Sequence, residues 1–205
     1  MRISLQNVGK RYNREWIFRN CSYEFKSGKK YAITGPNGSG KSTLLQVIAG
    51  ATLHNEGTIE YTNGQQTTNN EQHYTYISIA APYLELIEEM TAKEMLEFHS
   101  KFKPLIESLS IEAILKIVGL ENAIHKQIRY FSSGMKQRLK LAQAFFSNTP
   151  ILLLDEPTTN LDADGIDLYH TLISNYTKDK LIIVSSNVKQ EYNFCEEVIE
   201  IGSYK

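Results

Sequence analysis

The run Gly35-Pro36-Asn37-Gly38-Ser39-Gly40-Lys41-Ser42 constrains this chain more than any other feature, because it dictates a local backbone path and what must flank it. It fits the pattern Gly-x-x-x-x-Gly-Lys-Ser/Thr. The glycines let the backbone turn tightly enough to aim successive N–H groups at phosphate oxygens, and a helix starting at the end of the run adds its positive N-terminal end. Such a turn requires a strand entering it and a helix leaving it. Lys29 to Thr34 reads as that strand and Ser42 to Ile48 as that helix.

The chemistry follows from the residue types. Gly35, Asn37, Gly38, Ser39, Gly40 and Thr43 build the cradle with Lys41, whose ammonium reaches the β- and γ-phosphates of a nucleotide, and the Ser42 hydroxyl is a ligand for Mg²⁺. A cradle of this type needs an acidic partner on a neighbouring strand. Ile151-Leu152-Leu153-Leu154-Asp155-Glu156 supplies one: four apolar residues bury a strand whose end presents two carboxylates. Asp155 is the expected Mg²⁺ holder, directly or through water, and Glu156 the general base that polarises an attacking water.

The rest of the chain alternates short strand-like runs with helical patterns, which predicts an α/β fold with a mainly parallel sheet. Ile3 to Val8 and Cys21 to Phe25 alternate apolar and polar residues, as half-exposed strands of an N-terminal antiparallel subdomain do. Gly57 to Tyr61 and Tyr74 to Ile79 are strand candidates flanking the polar stretch Thr62 to His73, where Asn63-Gly64 signals the turn of a solvated hairpin loop. From Thr91 to about Ile128 the pattern is helical, with Ser110 capping a helix over Ile111 to Val118 and Gly119 closing it. This block reads as a helical subdomain inserted at about residues 83–130 of a single domain spanning residues 1–205. A helix from about Gly134 to Ser147 follows, then an amphipathic helix with Ile166, Tyr169, Ile173 and Tyr176 on one face, and the strands Leu181 to Ser185 and Val198 to Ile201.

Composition excludes several classes. A chain of 205 residues supports one substantial core, and a formal net charge of −1 offers no basic excess for nucleic acid or an anionic membrane. Cys21 and Cys195 lie far apart without metal-ligand spacing and read as two buried, reduced thiols. The opening residues hold no apolar core of signal-peptide length, and runs such as Leu181 to Val184 are far shorter than the roughly 20 residues that span a bilayer. Membrane transport by this protein requires another chain to form the path.

Between the two nucleotide elements lies Phe131-Ser132-Ser133-Gly134-Met135-Lys136-Gln137-Arg138, shortly before Asp155-Glu156-Pro157-Thr158-Thr159-Asn160-Leu161-Asp162. The first string resembles the Leu-Ser-Gly-Gly-Gln signature of ABC ATPases, with Phe131, Ser133 and Met135 replacing the usual Leu, first Gly and Gln. The resemblance covers essentially the whole chain and is similar to compact bacterial single-domain subunits. It implies a P-loop NTPase core and an ATP-hydrolysing subunit that powers a membrane transporter, with ATP and Mg²⁺ as ligands. It further implies a head-to-tail homodimer or heterodimer, in which Ser132 and Gly134 of one subunit complete the site built on Lys41 of the other. Leu161 and Asp162 then touch the partner subunit, Tyr12 stacks on adenine, and the helical subdomain meets a polytopic membrane permease. The implied location is cytoplasmic, peripheral on the inner face of the cell membrane, with no nucleic acid as partner.

Two positions depart from the family pattern. Where a His normally contacts the γ-phosphate, the sequence reads Ser185-Ser186-Asn187, so Asn187 takes that catalytic place. Its amide donates a hydrogen bond but carries no charge and shuttles no proton. Where a Gln is usual, Ile79-Ala80-Ala81-Pro82 offers none. The resemblance thus leaves a slowly hydrolysing or regulatory ATP-binding module as one alternative, and a non-transport ABC protein as another.

Overall fold

The alternation of strand and helix patterns organises the backbone of the computed structural model, which describes residues 1–64, 66–67 and 73–205. The chain divides into two compact units: residues 1–79, 150–156 and 179–205 form the first, and residues 80–149 and 157–178 the second.

In the first unit β1 (Arg2–Tyr12) pairs antiparallel with β2 (Glu15–Lys26) and, on its other edge, with β4 (Glu56–Asn63). The short β5 (Gln66–Thr67) pairs with β4, giving the order β2-β1-β4-β5. Both N-terminal strands run longer than their alternating cores suggest, because ladder shifts between Leu5 and Val8 and between Val8 and Lys10 let the polar flanks stay paired. The second sheet has the order β6-β7-β8-β3-β9, made of β3 (Lys30–Thr34), β6 (Ile77–Ala80), β7 (Ile151–Asp155), β8 (Leu181–Ser185) and β9 (Glu197–Glu200). The described pairings of β7 with β8, β8 with β3 and β3 with β9 are parallel.

Register sets the site. Asp155 pairs with Ser185, and Ser185 with Ile33, so the carboxylate emerges level with the strand that feeds Gly35. That is the carboxyl edge of a parallel sheet, where such folds place ligands. Helix α1 (Lys41–Ile48) turns back from this edge, burying Leu44, Leu45 and Ile48 in a core shared with Ile3, Val8, Phe18, Phe25, Tyr31, Leu153 and Ile183. A small helix α6 (Lys189–Tyr192) follows β8.

The second unit is helical. In α2 (Ala92–Phe102) Thr91 and Glu94 form a reciprocal capping box. The helix stops there because Pro104 biases Lys103 to its extended conformation (φ −134°, ψ 103°). Helix α3 (Ile111–Ile117) is capped by Ser110 and followed by Gly119 in the left-handed region (φ 69°), as the sequence predicts. Helices α4 (Ser133–Phe146) and α5 (Ala163–Tyr176) pack through Phe145 on Tyr169 and Phe146 on Tyr176, with centroids 6.3 and 4.8 Å apart. Leu172 joins Tyr169 and Ile173 as the buried face of α5, while Ile166 and Tyr176 are only half-buried.

Two expectations need correction. Tyr74 to Ile79 is not one strand: His73–Tyr76 forms a 3-10 turn and β6 begins at Ile77. Exposed Tyr74 finds no buried face to alternate with, and the turn is held by His73 stacking on Tyr61 at 4.7 Å. Of the two cysteines, neither of which is in a disulfide, Cys21 is buried but Cys195 is only half-buried. The expected hairpin loop Thr62 to His73 lies partly outside the described residues, at positions 65 and 68–72. In its described part Thr62 pairs with Thr67 and Asn63 with Gln66. Among the described residues no helix is long and apolar enough to cross a membrane.

Candidate functional site

The turn between β3 and α1 is the geometric centre of the first unit's chemistry. Gly40 caps α1 with φ 104°, and a Cβ added there would lie 2.4 Å from the Cγ2 of Ile17, so no side chain fits without moving β2. The amides of Lys41, Ser42 and Thr43 form the free first turn of the helix, since intrahelical bonding begins with Leu44 N–H to Gly40 O at 2.8 Å. Lys41, only 5% exposed, donates to Gly35 O at 2.8 Å and Pro36 O at 3.2 Å, which holds its ammonium across the loop. A cleft of about 210 Å³ is lined by Ile17, the run from Asn37 to Thr43, and Glu156.

Asp155, close to Ser42 and Lys41 of this cleft, is 1% exposed. Burial raises its pKa above the ordinary aspartate value, opposed by the nearby hydroxyls of Ser185 and Ser42 and by Lys41, while the charge of Glu156 adds to the rise. Its Oδ1 has no hydrogen-bond partner, and neither do the buried Oγ atoms of Ser39 and Ser185. A buried carboxylate oxygen left unsatisfied beside a Ser hydroxyl is the donor set a hard divalent cation takes, so the residues present fit Mg²⁺. Glu156, one residue on, stands in the left-handed region (φ 42°) and is anchored by its N–H to Ser185 O at 2.9 Å. That strained backbone turns its side chain from the strand into the cleft lining.

Asn187 joins the same unit through its Nδ2, which donates to Asn37 Oδ1 at 2.8 Å. The loop carrying it is pinned on both sides: Ser186 Oγ donates to the buried Glu191 carboxylate and accepts from Val188 N–H. Tyr12 stands apart. It ends β1, 48% exposed, and does not line the cleft. Sequence reasoning missed Ile17, which lines the cleft and fills the space that a Cβ on Gly40 would need.

Ser132 and Gly134 belong to the second unit. There they line a cleft of about 440 Å³ with Gly119, Ser133, Met135, Arg138, Asn160 and Asp162. Ser132 caps α4 by accepting from Met135 N–H at 3.2 Å. A Cβ on Gly134 would come within 3.1 Å of Asn160 O, which explains why this position is glycine. The Lys-Gln-Arg continuation has structural work of its own. Lys136 pairs with Glu88, Gln137 donates to Pro157 O at 2.8 Å, and Arg138 bridges Val118 O and Asp162 Oδ1 at 3.4 and 3.2 Å. Where a Gln is missing, Lys140 Nζ holds the carbonyls of Ala81 and Pro82 at 3.4 and 2.8 Å.

This arrangement can bind a phosphate chain over the start of α1, place a cation between Ser42 and Asp155, and set a carboxylate beside both. Known proteins resemble the chain as a whole. The family model described as ABC transporter matches residues 18–159. The uncharacterized ABC transporter ATP-binding protein YybJ of Bacillus subtilis is 32% identical over 98% of this chain and 92% of its own. The lantibiotic transport ATP-binding protein SrtF of Streptococcus pyogenes is 30% identical over 96% of this chain and 85% of its own. Among solved structures, the dimeric post-hydrolysis state of the ATP-binding cassette MJ0796 bound to ADP and Pi superposes with a TM-score of 0.80 at 25% identity, covering 97% of this chain and 93% of that one. This chain belongs to the ABC transporter family, as one of its ATP-binding ATPase cassettes.

Proposed function

We propose that this cassette binds ATP with Mg²⁺ on the residues named above, hydrolyses it slowly, and drives a separate membrane-spanning partner. The observation that carries this reading is the convergence of Lys41, Glu156 and the α1 amides on one cleft close to an orphaned Asp155 oxygen.

The phosphates lie along the amides from Asn37 to Thr43, with Lys41 shared between the β- and γ-groups. Ser42 and Asp155 would hold Mg²⁺, which would supply charge neutralisation to the phosphate chain. Glu156 takes a proton from a water in line with the γ-phosphorus; the water oxygen bonds to phosphorus as the bond to the β–γ bridging oxygen breaks, leaving ADP and phosphate. Asn187 donates a neutral hydrogen bond to the γ-phosphate where a cationic side chain would stabilise it more strongly, and this is the physical basis for slow turnover. Tyr12 presents its ring to the base.

A second cassette completes the site in this reading. Its Ser132 N-cap and Gly134 present the α4 N-terminus to the γ-phosphate, so ATP favours the closed dimer and hydrolysis releases it. The helical second unit meets the membrane chain, for which the cleft of about 660 Å³ along Pro82, Leu84 to Glu89, Lys136 and Lys140 is the candidate surface. The protein then sits on the cytoplasmic face of the cell membrane through that partner.

Isothermal titration with ATP and Mg²⁺ tests the core of the proposal: Lys41→Ala abolishes measurable affinity, and unchanged affinity refutes the site. Co-purification with a polytopic membrane protein tests the transport assignment.

A further inference from the structure

We propose that Lys10 is a positioning residue for base recognition, pinning the ring of Tyr12 from behind so that its outer face is presented to the nucleotide. The proposal deepens the reading given above and rests on Tyr12 being the base platform.

Lys10 and Tyr12 are two apart on β1, so their side chains share a face of the strand. Lys10 is 9% exposed, an unusual burial for a lysine, and a buried ammonium needs partners. It has two. Its Nζ donates to Leu53 O at 2.8 Å and stands 4.7 Å from the centroid of the Tyr12 ring. The ammonium therefore covers one face of the ring and leaves Tyr12 half in solvent, free to stack on the other.

The backing is tied to the phosphate cradle. Leu53 lies in the segment that follows α1, and this segment is fastened to β1 on both sides of Lys10. Asn55 N–H donates to Gly9 O at 2.7 Å, and Arg11 N–H donates to Asn55 Oδ1 at 2.9 Å. One end of α1 forms the cradle, and the segment after its other end holds the cation behind Tyr12. The separation between phosphate amides and aromatic platform is thus set by a rigid helix and three hydrogen bonds. A ligand held by its phosphates at one end and by its base at the other gains from having both holding points preset.

Titration calorimetry with two probes, ATP and inorganic tripolyphosphate, each with Mg²⁺, separates base from phosphate contributions. Tyr12→Ala should weaken ATP by roughly tenfold, the scale of a base–aromatic stack. Lys10→Met should weaken ATP by about two- to fivefold, the scale of a cation–π contact, and leave tripolyphosphate unchanged. In a Tyr12→Ala background Lys10→Met should cost nothing further, and Lys10→Arg should retain wild-type affinity. Equal loss toward both probes, loss that persists without Tyr12, or no loss at all overturns the proposal. Should Lys10→Met fail to fold by thermal melting, Lys10→Gln, which keeps a donor for Leu53 O, faces the same criteria. If Tyr12→Ala leaves ATP affinity intact, the platform reading falls and Lys10 with it. Loss of tripolyphosphate binding in Lys41→Ala would in that case still assign phosphate binding to the cradle, so the two readings fail separately.

Discussion

The carboxamide of Asn187 donates to Asn37 Oδ1 at 2.8 Å, joining the loop after β8 to the phosphate cradle 150 residues earlier in the chain. The loop does not swing freely, because Ser186 beside it is held by the buried Glu191 carboxylate. A neutral donor in a fixed place stabilises developing negative charge less than an imidazolium and cannot titrate near neutrality. Asn187→Ala should therefore lower kcat by about fivefold, the scale of one hydrogen bond of ~1 kcal/mol, with a smaller effect on KM. Asn187→His should raise kcat and introduce an ionisation near pH 6.5 into a pH–rate profile that lacks one at this position. Steady-state phosphate release across pH checks both; turnover indifferent to either substitution removes Asn187 from the mechanism.

Glu156 carries two separable properties, its carboxylate and its strained backbone at φ 42°. Glu156→Gln keeps the shape and removes the base, so turnover should fall by about 10²-fold or more while ATP still binds. Under ATP and Mg²⁺ this variant should accumulate as a dimer by light scattering, whereas wild type returns to monomer. Glu156→Gly removes the base and relieves the left-handed strain, so its melting temperature should exceed that of Glu156→Gln by the equivalent of ~1 kcal/mol. Equal melting of the two would show that the strain is not stored there.

Asp155 is costly to the protein without ligand. Its pKa is raised by burial, so the native state holds the proton more tightly than the unfolded chain, and the carboxylate's penalty is absent at low pH and fully present once pH has risen through the folded value. Asp155→Asn should thus stabilise the protein at pH 7 by about 1–3 kcal/mol, a rise in Tm of ~2–4 °C per kcal/mol, and the gain should vanish on acidification. The same change should cost Mg²⁺-dependent ATP affinity. A stabilised, nucleotide-blind variant is the expected signature; a destabilised one would mean that the carboxylate is satisfied in the native state.

What the sequence made legible was whatever is encoded locally. The run Gly35 to Ser42 specifies its own backbone, and Leu181 to Ser185 and the Ser110 cap emerge at their expected bounds for the same reason. Contacts between distant segments leave no such trace. Ile17 against Gly40, Lys10 against Leu53, and Lys140 on the carbonyls of Ala81 and Pro82 depend on register and helix placement that no spacing rule reports. Tyr74 to Ile79 misleads for the opposite reason: its aromatic alternation imitates a strand, yet strand formation needs a buried face, and Tyr74 has none. The Lys136-Gln137-Arg138 string reads as part of a signature, although each side chain is bound within its own unit, to Glu88, Pro157 and Asp162.

His99 gives the helical unit a pH dependence of its own. Its Nε2 lies 2.8 Å from Ser147 Oγ, and that hydroxyl donates to Gln143 O at 2.6 Å, so the oxygen accepts from the ring and the ring nitrogen is the donor. Burial lowers its pKa from 6.5 to about 4, with the charge of Lys103 adding to the fall. The native state therefore binds fewer protons than the unfolded chain between these values. The stability is complete above the unfolded pKa and is lost as pH falls toward about 4. After allowance for partial solvent access, the loss should amount to about 2 kcal/mol. Urea unfolding of wild type and His99→Gln between pH 7 and 4 measures it: wild type should lose this increment and the Gln variant, which keeps a donor for Ser147, should not. Parallel loss in both proteins would assign the acid sensitivity to the carboxylates instead.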